Sequence, residues 1–134
     1  MASLYMLDTN LIIHVMRDSS ATALRKMQAH GEHLVVSSIS VAELDFGVAH
    51  STDPVAMRAD LESMLTLVDV APFDRPAARE SGAIRQMLGA AGTLIGPYDL
   101  LIAGHARALK LTLVTHNTRE FSRVPGLRLA DWES

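Results

Sequence analysis

Short apolar runs that alternate with longer helical stretches restrict this chain to few folds. The runs Leu4 to Leu7, Leu34 to Val36 and Leu111 to Thr115 have the near-continuous apolar character of strands that are covered on both faces. The stretches between them repeat apolar residues at helical spacing. Strands that are joined by helices form right-handed crossovers in a parallel sheet. We therefore predict an α/β fold, a three-layer α/β/α sandwich with a central, mostly parallel sheet of about four to five strands.

Capping residues, prolines and glycines predict where the helices begin and end. Ser40 and Glu43 have the Ser-x-x-Glu spacing of a capping box, so a helix is expected to begin at Ser40. Asp74 is expected to cap a helix over 76–91 that ends at Gly92. The remaining predicted elements are helices at 9–17, 21–30, 54–68, 98–109 and 117–121 and an edge strand at 127–129. The stretch 67–70 fits either the end of a helix or the start of a strand, so that boundary stays open.

The length and composition predict one domain over residues 1–134. Of the 134 residues, 49% are hydrophobic and 20% are charged, which is enough for one core of ordinary size. Cysteine is absent, so disulfides and thiolate metal sites are excluded and a reducing compartment is favoured. The first eight residues do not have the pattern of a secretory signal, and no apolar run reaches membrane-spanning length. A cytoplasmic location is therefore expected.

The charge balance counts against a nucleic-acid partner. A net charge of -3 and a pI near 6.0 provide no global attraction for phosphates. A divalent cation that is bound among carboxylates, or a local basic patch, would compensate. Aromatic residues make up only 4% of the chain, so recognition of a structured RNA is easier to support than base stacking on a single strand. The candidate RNA contacts, each of which is also explained as an ordinary surface charge, are Arg17, Arg79, Arg85, Arg119 and Arg123.

Three carboxylates are expected at one edge of the sheet. Asp8 ends the first strand, Glu43 lies early in the helix after the second strand, and Asp99 lies in the first turn of the helix after a Gly-rich loop. In open parallel sheets, ligands bind at the carboxyl ends of the strands. Carboxylates that are crowded together raise one another's pKa unless a cation lies among them. With oxygen ligands and no cysteine, Mg²⁺ or Mn²⁺ is favoured over zinc.

Each of these carboxylates also has a purely structural explanation. Asp8 is placed to cap the following helix, Glu43 to complete the capping box, and Asp99 to complement a helix dipole. His105 and His116 are explained as core or surface histidines. The motifs of zinc proteases, P-loops, dinucleotide-binding folds and serine hydrolases are absent. Position alone therefore leaves catalysis and capping as open alternatives for all three acids.

Four segments, in order and over nearly the full length, carry a resemblance to a known family. They are MLDTN at 6–10, SSISVAELDFG at 37–47, IGPYDLLIAGHA at 95–106 and LVTHNTREFSRVPGL at 113–127, and Asp131-Trp132 follows them. In these segments the chain resembles the PIN-domain family, and within it the VapC-type toxins of bacterial type II toxin–antitoxin systems. The resemblance implies a PIN-like fold and an endoribonuclease with an acidic pocket for Mg²⁺ or Mn²⁺.

The resemblance also assigns roles to individual residues. The acids of the family's motifs fall on Asp8, Glu43 and Asp99, and the fourth acidic position carries Asn117. Asn117 offers a carbonyl oxygen without a charge, and Glu120, one helical turn further on, is a second choice for that position. Asp8 and Asp99 are the expected metal ligands. Glu43 is expected to act through water, either as a ligand or as the group that orients or deprotonates the nucleophile.

Other polar residues at the same predicted edge are expected to hold the carboxylates in place. They are Thr9, Asn10, Ser38 and Thr115.

The resemblance implies several partners. The substrate would be RNA, with tRNA as the family expectation, and a cognate antitoxin protein would insert a segment with a basic side chain into the acidic pocket. The apolar helices over 42–68 are expected to form either a homodimer face or part of the core. Three alternatives stay open: a structure-specific DNA nuclease, a receiver-like phosphoacceptor and a non-catalytic interaction module.

Overall fold

Five short strands form one sheet in which every pair of neighbours is parallel. The computed structural model describes residues 3–17 and 20–133. The strands are β1 (Tyr5–Leu7), β2 (Leu34–Ser37), β3 (Asp69–Ala71), β4 (Thr112–Val114) and β5 (Arg128–Ala130). Their order across the sheet is β3-β2-β1-β4-β5, so the chain builds outwards from β1 to one side and then returns to build the other side. The strand order therefore reverses between β1 and β4, which is where open α/β sheets bind ligands.

The described helices follow the predicted pattern of caps with one clear exception. They are α1 (Thr9–Met16), α2 (Ala21–Ala29), α3 (Ser38–Ala49), α4 (Pro54–Leu65), α5 (Arg75–Ala91), α6 (Pro97–Leu109) and α7 (Thr118–Phe121). Asp74 caps α5 as predicted, Asp53 caps α4 in the same way, and Gly92 ends α5 in the left-handed conformation. The predicted start at Ser40 is wrong, because α3 begins at Ser38 and Ser37 caps it by accepting a hydrogen bond from the amide of Ile39.

Side chains from the central strands alternate between two apolar cores, one on each face of the sheet. Leu7, Leu34, Val36 and Val114 belong to the core that also contains the buried residues of α1 to α4. The intervening strand residues belong to a second core that also contains buried residues of α5, α6 and α7, and these strand residues are Met6, Val35 and Leu113. Since successive strand residues point to opposite faces, helices cover both sides of the sheet. The predicted three-layer α/β/α architecture is confirmed.

The helices α5 and α6 pack tightly against each other at Gly104. A methyl group at this position would lie 2.1 Å from Ser81 Oγ and 2.7 Å from the backbone nitrogen of Ser81. Glycine is therefore required for the backbones to come this close. The contact fixes α6 against α5 behind the carboxyl edge of the sheet. Within the described residues, no helix combines the length and the apolar character needed to cross a bilayer.

Candidate active site

Asp8 is buried at the carboxyl end of the central strand β1. Its side chain is only 2% exposed, and its backbone nitrogen continues the sheet by donating to Val114 O at 2.9 Å. The hydroxyl of Thr115, which follows the neighbouring strand β4, donates to Asp8 Oδ2 at 2.9 Å. Asp8 stands at the N-cap position of α1 without making the side-chain hydrogen bond of a capping residue. Capping therefore does not account for this buried carboxylate.

Glu43 reaches the same edge from α3 and is held by the first residue of α1. Thr9 Oγ1 lies 2.8 Å from Glu43 Oε1 and 2.8 Å from Ser40 Oγ. A hydroxyl has one hydrogen and a carboxylate only accepts, so both contacts are satisfied when Ser40 donates to Thr9 and Thr9 donates to Glu43. Ser40 is fully buried and does not cap the helix. The Ser-x-x-Glu pattern therefore marks a tertiary contact with α1 and not a capping box.

Asp99 lies in the first turn of α6, opposite the carboxylate of Glu120 from α7. Glu120 Oε1 accepts a hydrogen bond of 2.9 Å from the backbone nitrogen of Gly96, and Glu120 Oε2 accepts one of 2.9 Å from Asn117 Nδ2. A methyl group at Gly96 would lie 3.5 Å from Asp99 Oδ2 and 4.0 Å from Glu120 Oε1. Gly96 thus lies between two acids, and Asn117 holds one of them.

The electrostatics of the pocket join these carboxylates into one site. Burial, together with the charges of Asp8, Glu120 and Glu43, raises the pKa of Asp99 to about 6. Burial also raises the pKa of Asp8, to which Glu43 and Glu133 add, while the hydrogen bond from Thr115 opposes the rise. The amide of Gly96 and the side chain of Asn117 instead lower the pKa of Glu120. Asp8 and Asp99 are therefore less stable as anions here than they are in water.

Several other predicted site residues lie outside this cluster of contacts. Asn10 is exposed on α1. The hydroxyl of Ser38 accepts a hydrogen bond from the backbone nitrogen of Phe73 at 2.9 Å, so it ties α3 to the segment after β3. His116 is largely exposed, and its Nδ1 lies 3.0 Å from Asp131 Oδ2. His105 is buried in the core, as its structural explanation predicted.

Two acids at this edge were underestimated or missed from the sequence. Glu120 is only the second choice for the fourth position from the sequence. It lies three residues after Asn117, which places both side chains on one side of a helical turn. Glu133 is the second of these acids. It approaches His14 Nδ1 at 2.5 Å, and within the described chain its buried Oε2 has no hydrogen-bond partner. No local sequence signal identifies Glu133, because its place depends on how the segment after β5 crosses the sheet edge.

The donor set determines what kind of cation would fit the pocket. Hard oxygen ligands, which suit Mg²⁺ or Mn²⁺, are offered by the carboxylates of Asp8, Glu43, Asp99 and Glu120. Among residues 3–17 and 20–133, no three Asp, Glu or His side chains are grouped as a ready cage for an ion. Mg²⁺ usually keeps several waters and binds through only one or two carboxylates, so this open arrangement is compatible with it. Burial is the main cause of the raised pKa values of Asp8 and Asp99, and a cation would relieve the repulsion between acids that adds to it.

Fold and pocket together define an α/β protein with an acidic site at the switch point of a parallel sheet. The PIN domain family matches residues 5–127. The tRNA(fMet)-specific endonuclease VapC of Shigella flexneri is 39% identical over 128 residues, which cover 96% of this chain and 97% of that protein. Ribonuclease VapC2 of Haemophilus influenzae is 40% identical over 128 residues and has the same coverage of 96% and 97%.

A solved structure shares the whole architecture. In the crystal structure of DNA-bound VapBC from Salmonella typhimurium, the matching chain has a TM-score of 0.94 and is 37% identical, with coverage of 97% of this chain and 98% of that one. The protein therefore belongs to the PIN domain family, in its VapC branch. The family membership that was predicted from the four sequence segments is confirmed.

Proposed function

We propose that this protein is a divalent-metal-dependent endoribonuclease that acts as the toxin of a toxin–antitoxin pair. Fold alone does not determine activity, so the proposal rests on the site. The observation that carries it is that four acids act on one another at one edge of the sheet. Burial and the charges of Asp8, Glu43 and Glu120 together raise the pKa of Asp99 to about 6. The names of the relatives support the reaction class, since proteins 39% and 40% identical are an endonuclease and a ribonuclease.

Asp8 and Asp99 are the proposed metal ligands. Asp8 is held by Thr115 at the end of the central strand, and Asp99 begins the helix opposite it. A bound Mg²⁺ or Mn²⁺ supplies positive charge for the phosphate and lowers the pKa of water. It would also reverse the sign of the field in a pocket that otherwise repels RNA. The net charge of -3 is therefore compatible with a nucleic-acid substrate.

Glu43 and Asn117 are the proposed groups that support the chemistry around these ligands. Glu43, which is held by Thr9, orients the attacking water and accepts its proton. As the water oxygen bonds to phosphorus, the bond to the leaving oxygen breaks and that oxygen takes up a proton from solvent. Asn117 holds Glu120 beside Asp99, so its amide sets the position of a fourth carboxylate.

The proposed substrate is a structured RNA, with tRNA as the favoured class. The Shigella flexneri relative is named for tRNA(fMet), and the low aromatic content here gives little surface for stacking single-stranded bases. Two of the candidate arginines lie near the pocket. Arg17 shares a groove with Glu43, and Arg123 lies near Glu120 and donates to Leu94 O at 3.2 Å. Action on tRNA would require a cytoplasmic location, which is part of the proposal.

The proposed partners are a cognate antitoxin and a second copy of the chain. The Salmonella neighbour is a VapBC complex, which supports an antitoxin. The helices α3 and α4 contribute Leu44, Val48 and Leu61 to the core, yet Phe46 and Val55 are 69% and 83% exposed. We assign these exposed apolar side chains to a protein interface, either in a homodimer or with the antitoxin. We also propose that residues 1–134 act as one nuclease domain, because the two cores share a single sheet.

The test is cleavage of RNA by the purified chain, free of antitoxin, with Mg²⁺, Mn²⁺ or EDTA. Asp8→Asn and Asp99→Asn are expected to lower the rate by roughly two orders of magnitude or more, because each removes a charged ligand of the proposed metal ion. Asp60→Asn is the matched control, since Asp60 is an exposed carboxylate on α4. It should cleave at the wild-type rate.

Several outcomes would decide against the proposal. If all variants cleave equally, or if cleavage survives EDTA, the assigned site is wrong. Faster cleavage of flap DNA than of RNA would favour the DNA nuclease. A wild-type chain that cleaves neither would favour the interaction module.

A further inference from the structure

His105 is a polar side chain at a position that packing alone would give to an apolar residue. It is the polar one among the buried residues of α6, and it is only 1% exposed. Its Nδ1 lies 2.8 Å from Ser37 Oγ, and the edge of its ring faces Phe73 with a centroid distance of 5.4 Å and an interplanar angle of 82°. Burial of an imidazole is unfavourable unless its nitrogen is hydrogen-bonded, so the bond to Ser37 accounts for its stability here.

Ser37 connects this imidazole to the start of α3. It is fully buried, it ends β2, and its hydroxyl oxygen accepts from the amide of Ile39 at 3.1 Å. The hydroxyl that accepts from this amide can donate its own hydrogen to Nδ1 when the imidazole is neutral and protonated on Nε2. Burial lowers the pKa of His105, which favours that neutral form. One serine therefore caps α3 and binds α6.

The bond joins the two helices that carry site acids from opposite layers of the fold. The helix α6 carries Asp99 in its first turn, and α3 carries Glu43 six residues after Ser37. The close approach of Gly104 to Ser81 prevents α6 from sliding against α5, so the position of the imidazole is fixed from behind. A shift of Ser37 would move the first turns of α3, where Ser40 contacts Thr9.

We propose that His105 is a positioning residue that, through Ser37, sets the start of α3 and so the place of Glu43 relative to Asp99. The expected effect of His105 on catalysis rests on the proposed nuclease function. The expected effect on the position of α3 does not depend on that function. The competing explanation is that His105 only fills the core, in which case loss of activity should follow loss of stability in every variant.

The test compares His105→Phe, Ser37→Ala and their double variant with Phe73→Leu as the matched control. Phe73→Leu disturbs the packing of the ring and leaves the His105–Ser37 bond in place. Both single variants should lower kcat on RNA roughly ten- to a hundredfold with KM unchanged, because a small misplacement of a catalytic group has effects of this size. The double variant should be no slower than Ser37→Ala alone, because Ser37→Ala already removes the bond that His105→Phe removes, together with the cap on Ile39. His105→Asn, which keeps a hydrogen-bonding atom near the place of Nδ1, should recover part of kcat.

A second measurement separates this inference from the nuclease proposal. Amide ¹H–¹⁵N spectra, recorded without RNA or metal, should show shifted signals at residues 40–43 in both His105→Phe and Ser37→Ala, and none there in Phe73→Leu. Unchanged signals at 40–43 would overturn the positioning role, as would kcat values that track the melting temperature across all variants. If wild type does not cleave RNA, the nuclease proposal fails, and the spectra still decide whether His105 positions α3.

Discussion

Asn117 Nδ2 donates a hydrogen bond of 2.9 Å to Glu120 Oε2, so the amide at the fourth position of the site holds a carboxylate. The other oxygen of Glu120 accepts from the amide of Gly96, and together these bonds keep the pKa of Glu120 below its ordinary value. The charge of Glu120 in turn contributes to the raised pKa of Asp99. Glu120 thus supplies the negative charge that Asn117 lacks.

Substitutions at these two positions should differ in their effect on RNA cleavage. Glu120→Gln is expected to lower the rate about as strongly as Asp99→Asn, because it removes a charge at the pocket. Asn117→Ala should lower it only about tenfold, because Glu120 keeps its bond to Gly96 and loses one of two orienting contacts. The measurement is the initial cleavage rate at fixed Mg²⁺, with Ser122→Ala as a control next to α7. The opposite order would make Asn117 itself the fourth catalytic group.

The hydroxyl of Thr9 is expected to matter for both stability and rate. Thr9→Val keeps the shape of the side chain but leaves Ser40 and Glu43 without their shared partner. Since Ser40 is fully buried, the free energy of unfolding should fall by about 1–3 kcal/mol. The kcat should fall roughly tenfold because Glu43 is no longer oriented. Urea denaturation and RNA cleavage measure the two effects.

Thr9→Ser provides the control, because it retains the hydroxyl. A Thr9→Val protein with wild-type kcat would show that the contact with Thr9 does not determine how Glu43 acts.

The contact between α5 and α6 predicts a large effect of one methyl group. Gly104→Ala would place Cβ 2.1 Å from Ser81 Oγ and 2.7 Å from Ser81 N, so the backbones must separate. We expect a loss of unfolding free energy of about 2–3 kcal/mol, as in other overpacked cores. Thermal or urea denaturation measures it.

Gly82→Ala is the matched control, since Gly82 lies within α5 and a methyl group there meets nothing within 4 Å. It should raise stability by up to about 1 kcal/mol, because alanine favours a helix more than glycine does. Adding Ser81→Ala to Gly104→Ala should restore only part of the loss, because the backbone nitrogen of Ser81 stays in the way. Full recovery would attribute the loss to the hydroxyl alone.

The fold was predictable where local signals and burial agree. The run Leu34 to Val36 is buried on both faces, so it has a continuous apolar pattern, and Asp74 and Gly92 are strong local signals for the two ends of α5. The start of α3 was not predictable, because the role of Ser40 depends on a contact with Thr9 that is distant in sequence. The strand Asp69–Ala71 lies mostly exposed at the sheet edge, which explains its weak apolar signal.

The location of the site was more predictable from the sequence than the hydrogen bonds among its side chains. Asp8 and Glu43 follow the ends of β1 and β2, which meet at one edge of a parallel sheet, whereas Asp99 lies in the first turn of a helix that follows another helix. Which side chain holds which acid depends on rotamers and on the approach of distant segments, so the bond of Asn117 to Glu120 and the presence of Glu133 have no local pattern. The catalytic and metal-binding roles of all these residues stay predictions.

The raised pKa of Asp99 predicts a stability effect that changes with pH in the absence of metal. The folded-state pKa of about 6 exceeds the ordinary value of 3.8, so between these values the folded protein binds a proton that the unfolded chain does not. The free energy of unfolding should therefore fall as pH rises through this window. Asp99→Asn abolishes this dependence. The variant should match wild type in melting temperature at about pH 3.5, below the ordinary pKa of the carboxyl group, and exceed it at about pH 7.5 in EDTA.

The expected difference at the higher pH is about 1 kcal/mol, or roughly 3–5 °C, because solvent screens a half-buried group. Added Mg²⁺ should remove the difference by stabilising wild type alone, since only a ligand that binds the folded state raises its stability. Asp60→Asn, which changes an exposed carboxylate on α4, should show no such pH-dependent difference in melting temperature from wild type. An equal difference in melting temperature at both pH values would mean that the environment of the site does not raise the pKa of Asp99. A difference at about pH 7.5 that persists after Mg²⁺ is added would argue against Asp99 as a ligand.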